Sequence, residues 1–123
     1  MDRWQAQHEF WNSFGIPAYD QTTVSDDAEM PYITYNAVSS NLDVPVQVTA
    51  SVWYYSKSWA EISQKVDEMA ATIDSMNPSI PIEGGRLKVR LPKDMAFAQR
   101  MGEEDAFVRR IVINVEMEFL TAF

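Results

Sequence analysis

The chain has 123 residues and a formal net charge of −8, from 10 Lys and Arg against 18 Asp and Glu. That length suits one domain with one core, and an apolar fraction of 46% excludes global disorder. The acidic balance argues against a general nucleic-acid binder, and the lack of cysteine excludes disulfide scaffolds, thiolate zinc sites and cysteine nucleophiles.

Residues 1–14 read as a helix. At 100° per residue, Trp4, Phe10, Trp11 and Phe14 share one arc, which Gln7 interrupts. Gly15 is a natural stop and Pro17 prevents continuation. The expected role is to pack this aromatic face on a sheet. The same segment has no apolar run behind a basic start, so it does not read as a signal peptide. Nowhere does the chain approach the ~18 apolar residues of a membrane span. The expectation is a soluble protein of the cell interior, or of an assembly built there, with no membrane partner.

Residues 16–30 show no period and carry Asp26, Asp27 and Glu29. Such a loop is more often functional or partner-ordered than merely loose. Strand character follows over 31–38, with Tyr32, Ile33, Thr34, Tyr35 and Val38, and more clearly over 44–56. There Val44, Val46, Val48, Ala50, Val52 and Tyr54 alternate with Gln47, Thr49, Ser51, Trp53 and Tyr55. Residues 58–76 have the strongest helical period: Ile62, Val66, Met69, Ile73 and Met76 share one stripe, and Ser58 and Glu61 have capping-box spacing. Residues 80–91 read as a hairpin turned by Gly84-Gly85, and 92–105 show no period. Residues 106–120 form a long strand, with Ile111, Ile113, Val115, Met117 and Phe119 pointing one way and Val112, Asn114, Glu116 and Glu118 the other. These elements predict an α+β fold in the order α-β-β-α-β-β: an antiparallel sheet of about four strands with two helices on one face, as a single domain over 1–123.

Little of the composition supports catalysis. His8, the sole histidine, lies in a helix with no partner that spacing identifies. The carboxylate clusters lack calcium-loop spacing. Gly84-Gly85 feeds a strand rather than a helix, so it does not match a phosphate cradle. No catalytic residue, metal or cofactor is assigned. What remains suits an interface. Trp53 and Tyr55 lie on the polar side of their strand with Trp59 close behind, which marks either an interface core or a face covered by the first helix. Arg86, Lys88 and Arg90 share a strand face, either as plain solvent-side alternation or as one side of a charge-complementary contact. Arg109 and Arg110 must point oppositely, and the one aimed at a buried or interfacial side should have an acidic partner. These residues, with Glu116 and Glu118, are the candidate interface. At ~3.3 Å per residue the last strand would span about 50 Å, more than the roughly 35 Å diameter of a domain this size, so it should bend or project toward a neighbour.

Several segments taken in order carry a resemblance: Pro17-Ala18-Tyr19; Pro31-Tyr32-Ile33-Thr34-Tyr35; Gly84-Gly85; Phe97-Ala98-Gln99-Arg100-Met101; the acidic turn Glu103-Glu104-Asp105; Val108-Arg109-Arg110-Ile111-Val112-Ile113-Asn114-Val115; and Glu118-Phe119-Leu120. Together they resemble the tail-terminator, or tail-completion, proteins of long-tailed bacteriophages over nearly the whole chain. The link Lys93-Asp94-Met95-Ala96 is longer than that resemblance leads one to expect. The resemblance implies an α+β fold, a hexameric ring that caps the tail tube and ends its polymerisation, and a joining surface for the head-tail connector protein. It implies partners in the tail tube protein and the connector, DNA passing through the centre without specific binding, and a place in the virion. It carries no catalytic residues. The alternative is a head-closure or neck adaptor protein at the same junction. A ligand-binding or hydrolytic α+β domain would need a convergent polar pocket.

Overall fold

In the computed structural model, which describes residues 1–121, the first helix is set by its own cap. Asp2 Oδ1 accepts the Gln5 backbone N–H at 2.8 Å, and Gln5 Oε1 accepts the Asp2 N–H at 3.1 Å, a reciprocal capping box. Helix α1 runs over Arg3–Trp11 and tightens into a 3-10 turn over Asn12–Phe14. It stops at Gly15, whose φ of 86° suits a residue without Cβ. Its buried stripe is Ala6, Gln7, Phe10 and Trp11, while Trp4 is 54% exposed. The helix packs rolled toward its small residue, Ala6, and Trp4 falls at the margin of the stripe.

The remaining elements are β1 (Ala18–Asp20), β2 (Tyr32–Tyr35), β3 (Val46–Tyr55), α2 (Ala60–Met76), β4 (Ser79–Ile82), β5 (Gly85–Arg90), β6 (Ala98–Met101) and β7 (Val108–Thr121). All seven strands join one sheet in the order β1-β2-β3-β7-β5-β4, with β6 also paired to β7. The sheet curls into a half-barrel. This corrects the expected sheet of about four strands in the order α-β-β-α-β-β. Strands β1 and β6, of 3 and 4 residues, arise inside the two stretches without period. Segments so short hold too little alternation to be read alone; they become strands because longer neighbours pair with them. The β1–β2 pairing is parallel, so the sheet is mixed.

Strand β7 is the spine. On one edge β3 pairs with it from Val108 to Met117, and the Asp43 N–H continues this edge to the Phe119 carbonyl at 2.7 Å. On the other edge β6 covers Arg110–Ile113 and β5 covers Glu116–Thr121. Between them the Asn114 N–H reaches the Phe97 carbonyl at 2.8 Å. Of the alternatives open to the long strand, bending or projecting, the structure shows the first: the sheet curls, and two strands sharing one edge cover its length. Ile111, Ile113, Val115, Met117 and Phe119 enter the core with Ile62, Val66, Met69 and Ile73 of α2. Met76, expected on the same stripe, is 72% exposed. The Ser58 hydroxyl accepts the Ala60 N–H at 3.0 Å, but the cap that Glu61 should complete is not formed.

Helix α1 touches both β1 and β4, the two outer strands of the sheet, and so spans the mouth of the half-barrel. Gln7 is fully buried there. Its amide accepts the Val38 N–H at 3.0 Å and donates to the Val38 carbonyl at 2.8 Å, serving the backbone as a strand partner would. Tyr35 stacks on Trp11 with ring centres 6.3 Å apart, and its hydroxyl lies 3.0 Å from His8 Nδ1. Burial, then the charge of Asp20, pushes the Tyr35 phenol above its ordinary value.

The paired glycines turn out to have separate tasks. Ile82 pairs with Gly85, so the hairpin turn is Glu83-Gly84, with Gly84 at φ 78°. Gly85 is already in β5, where an added Cβ would lie 1.7 Å from the Leu120 carbonyl oxygen. Gly85→Ala is expected to destabilise the fold by about 1–3 kcal/mol through overpacking. Gly102→Ala, where nothing lies within 4 Å of the new Cβ, should be near neutral. Denaturant midpoints check this; equal midpoints for the two variants would contradict the β5–β7 approach.

Candidate interaction surface

The side of the sheet turned away from the helices is built by parity. Residues of β7 that alternate with the core set, from Arg110 to Leu120, share it with Gln47, Thr49, Ser51 and Trp53 of β3 and with Arg86, Lys88 and Arg90 of β5. Two groups of side chains are organised on it.

The first is an aromatic row across β1, β2, β3 and β7. Tyr19 meets Tyr32 edge to face at 5.7 Å, and Tyr32 meets Trp53 at 6.4 Å. The Trp53 indole N–H donates to Thr34 Oγ1 at 2.9 Å, which fixes the ring. The Arg110 guanidinium lies 4.8 Å from the centre of the Trp53 ring. Its Nε donates to Ser51 Oγ at 3.0 Å, and its Nη1 lies 3.4 Å from the Glu103 carboxylate. The second group is an ion network. Arg90 Nη2 lies 2.7 Å from both Glu116 and Glu118, and these contacts hold the guanidinium above its ordinary pKa, the Glu118 bond contributing most. Between the two groups, Thr49 Oγ1 donates to Asn114 Oδ1 at 2.9 Å.

The ten residues singled out from sequence thus divide. Trp53 and Arg110 come together, as do Arg90, Glu116 and Glu118. Arg86 instead donates from Nε to Ser79 Oγ at 2.7 Å, and Lys88 stands in register with Glu118. Tyr55 lies at the rim, 62% exposed and stacked on Phe107 at 5.6 Å. Trp59 is on the helix side, with the guanidinium carbons of Arg100 and Arg109 at 4.9 and 5.1 Å from its ring centre. Trp53, Tyr55 and Trp59 therefore do not form one patch, because the chain turns to the helix side between β3 and α2. Arg109 and Arg110 do point oppositely. The acidic partner falls to Arg110 on the helix-free side, whereas Arg109 donates to the Lys57 carbonyl at 2.6 Å. Tyr19, Tyr32, Arg100, Glu103 and Phe107 were not singled out. The alternation of Tyr32 and Thr34 with Ile33 and Tyr35 could have placed Tyr32; the others depend on pairings that no single segment encodes.

A hollow of about 440 Å³ opens between α1 and the end of α2, lined by Phe10, Phe14, Met76, Pro78 and Ile80 with Glu9, Ser13, Thr72 and Ser79 at its edges. His8 is not part of its lining. No family model, curated protein or solved structure matches this chain.

The ion network gives a direct test. Arg90→Ala should cost about 1–2 kcal/mol by leaving two adjacent carboxylates unpaired. Glu116→Gln with Glu118→Gln in the Arg90→Ala background should recover most of it. Chemical denaturation of the wild type, Arg90→Ala, the two Glu→Gln changes alone and the combined variant reads the cycle; an additive loss would contradict the coupling.

Proposed function

We propose that the chain is a structural subunit of a phage tail, closing into a six-membered ring that caps the tail tube, ends its polymerisation and offers the head connector a joining surface. The observation that carries the reading is the helix-free side of a sheet stiffened by its doubly paired central strand. That side presents Tyr19, Tyr32, Trp53 and Arg110, residue types enriched where protein surfaces meet, beside a pre-formed ion network. The resemblance adds weight: its segments occupy β1, β2, β6, β7 and the β4–β5 turn. In this reading the tube docks on the aromatic row. Arg86, Lys88 and Arg90 lie away from the lumen, and a charge of −8 per chain keeps DNA phosphates from adhering to the channel.

Electron microscopy of the purified chain should show rings of six, and the chain should bind purified tail tubes rather than portal-bearing heads. Trp53→Ala should reduce tube binding at least about tenfold while leaving the circular dichroism unchanged. Binding to heads alone would assign the chain to the neck adaptor role. A chain that forms no rings and binds neither partner would contradict the proposal.

A further inference from the structure

One end of the molecule gathers cations around aromatic rings. Arg100 and Arg109 both lie about 5 Å from the Trp59 ring centre, and Lys57 Nζ lies 5.1 Å from the Phe107 ring, which Tyr55 also stacks on. Two guanidinium groups held against one indole repel each other, and a carboxylate between them would relieve that repulsion. Among the described residues no carboxylate lies within 4 Å of these three cations, while Arg90 has two and Arg110 has one. Arg109 is half-buried and its Nε is buried without a hydrogen-bond partner among the described residues, so an incoming carboxylate would meet the exposed Arg100 and Lys57. Nearby acids do not fill the gap. Asp67 and Arg100 line a second hollow, between α2 and β6, without bridging to each other, and Asp105 Oδ1 accepts the Phe107 N–H at 2.8 Å. The cluster thus carries positive charge that no carboxylate among the described residues neutralises within 4 Å.

The complementary feature lies at the opposite margin of the sheet. In the connection from β1 to β2, Ser25 Oγ accepts the Asp27 N–H at 3.2 Å, and the Ser25 carbonyl accepts the Ala28 N–H at 3.1 Å. This turn leaves Asp26, Asp27 and Glu29 exposed, and none of them is in an ion pair among the described residues. One transverse row of the sheet reads Ala18, Ile33, Val52, Ile111, Arg100. Those four inter-strand spacings at ~4.8 Å make a path of about 19 Å along the curled sheet from β1 to β6. The acidic turn therefore joins strands at one margin of the sheet, while Arg100 lies at the other, beside Arg109 of β7 and Lys57 and Trp59 of the β3–α2 connection. Complementary patches placed so make a head-to-tail contact, the kind that closes into a ring.

We infer that the Lys57/Arg100/Arg109 cluster around Trp59 receives the Asp26/Asp27/Glu29 turn of a second copy of this chain. The inference rests on the ring reading and supplies its subunit contact. The test is sedimentation velocity on the full chain over a range of salt, with two reversed proteins: Arg100→Glu with Arg109→Glu, and Asp26→Lys with Asp27→Lys. Each alone should lower the association constant at least about tenfold, with like charges now facing, and wild-type association should weaken as salt rises. An equimolar mixture should restore assembly, because the unaltered acidic turn of one meets the unaltered cluster of the other, and the reversed pair meets likewise. Arg100→Glu alone, at an exposed position, covers the case in which Arg109→Glu impairs folding. Full association by the turn-reversed protein, or a mixture that stays dissociated, would overturn the contact. Rings that form despite the reversals leave the cap reading standing without this contact. Rings that obey the charge rule yet bind neither tubes nor heads leave the contact standing without the cap. Duplex DNA held by the wild type and released by Arg100→Glu would assign the cluster to phosphate and overturn the inference.

Discussion

Everything in this molecule is arranged around one strand that is hydrogen-bonded along both edges. β7 runs over Val108–Thr121, and its partners hand over from one to the next: β3 and then Asp43 on one side, β6, Phe97 and β5 on the other. Once both edges are filled, parity decides the rest. Alternate side chains from Ile111 to Phe119 can only enter the core, and those between them can only face away from the helices. The close approach of β5, with no room for a Cβ at Gly85, shows how tightly that pairing is set.

The curl that lets one strand hold so many partners leaves the two outer strands apart. α1 fills the space between them, and Gln7 shows what that requires. Burying an apolar residue there would leave both backbone groups of Val38 unpaired, at a cost of about 1–3 kcal/mol each. The glutamine amide meets both, so a polar residue in the middle of an aromatic stripe is part of the packing and not an interruption of it. With α1 and α2 committed to one side of the sheet, the other side keeps its aromatic row and its ion network uncovered by any helix of this chain. This asymmetry is the physical basis for reading the protein as a component of an assembly.

Much of this was legible from single segments. The long alternations of β3 and β7 and the α2 stripe each contain enough periods to define a face, and the opposite orientation of Arg109 and Arg110 follows from adjacency alone. What stayed hidden depends on partners. β1 and β6 are strands only because β2 and β7 accept them. The capping box of α1 uses Asp2 and Gln5, whereas the one suggested by Ser58 and Glu61 is not made, Ser58 accepting the Ala60 N–H instead. At the site, parity placed Trp53 correctly, but Trp59 lies beyond the end of β3, where parity no longer applies. Its neighbour Arg100 comes from a strand that the local pattern does not show. Register, not periodicity, brings those residues together.

β7 knits its partners into one cooperative sheet that displays a single open side. Amide hydrogen exchange on the free chain tests it most directly. Amides of β7 from Ile111 to Phe119 should exchange slowest, at a common rate shared with the core of β3 and set by global unfolding, while β1 and β6 open sooner. Independent, faster exchange of the Glu116–Thr121 half together with β5 would show two separable units and contradict the account.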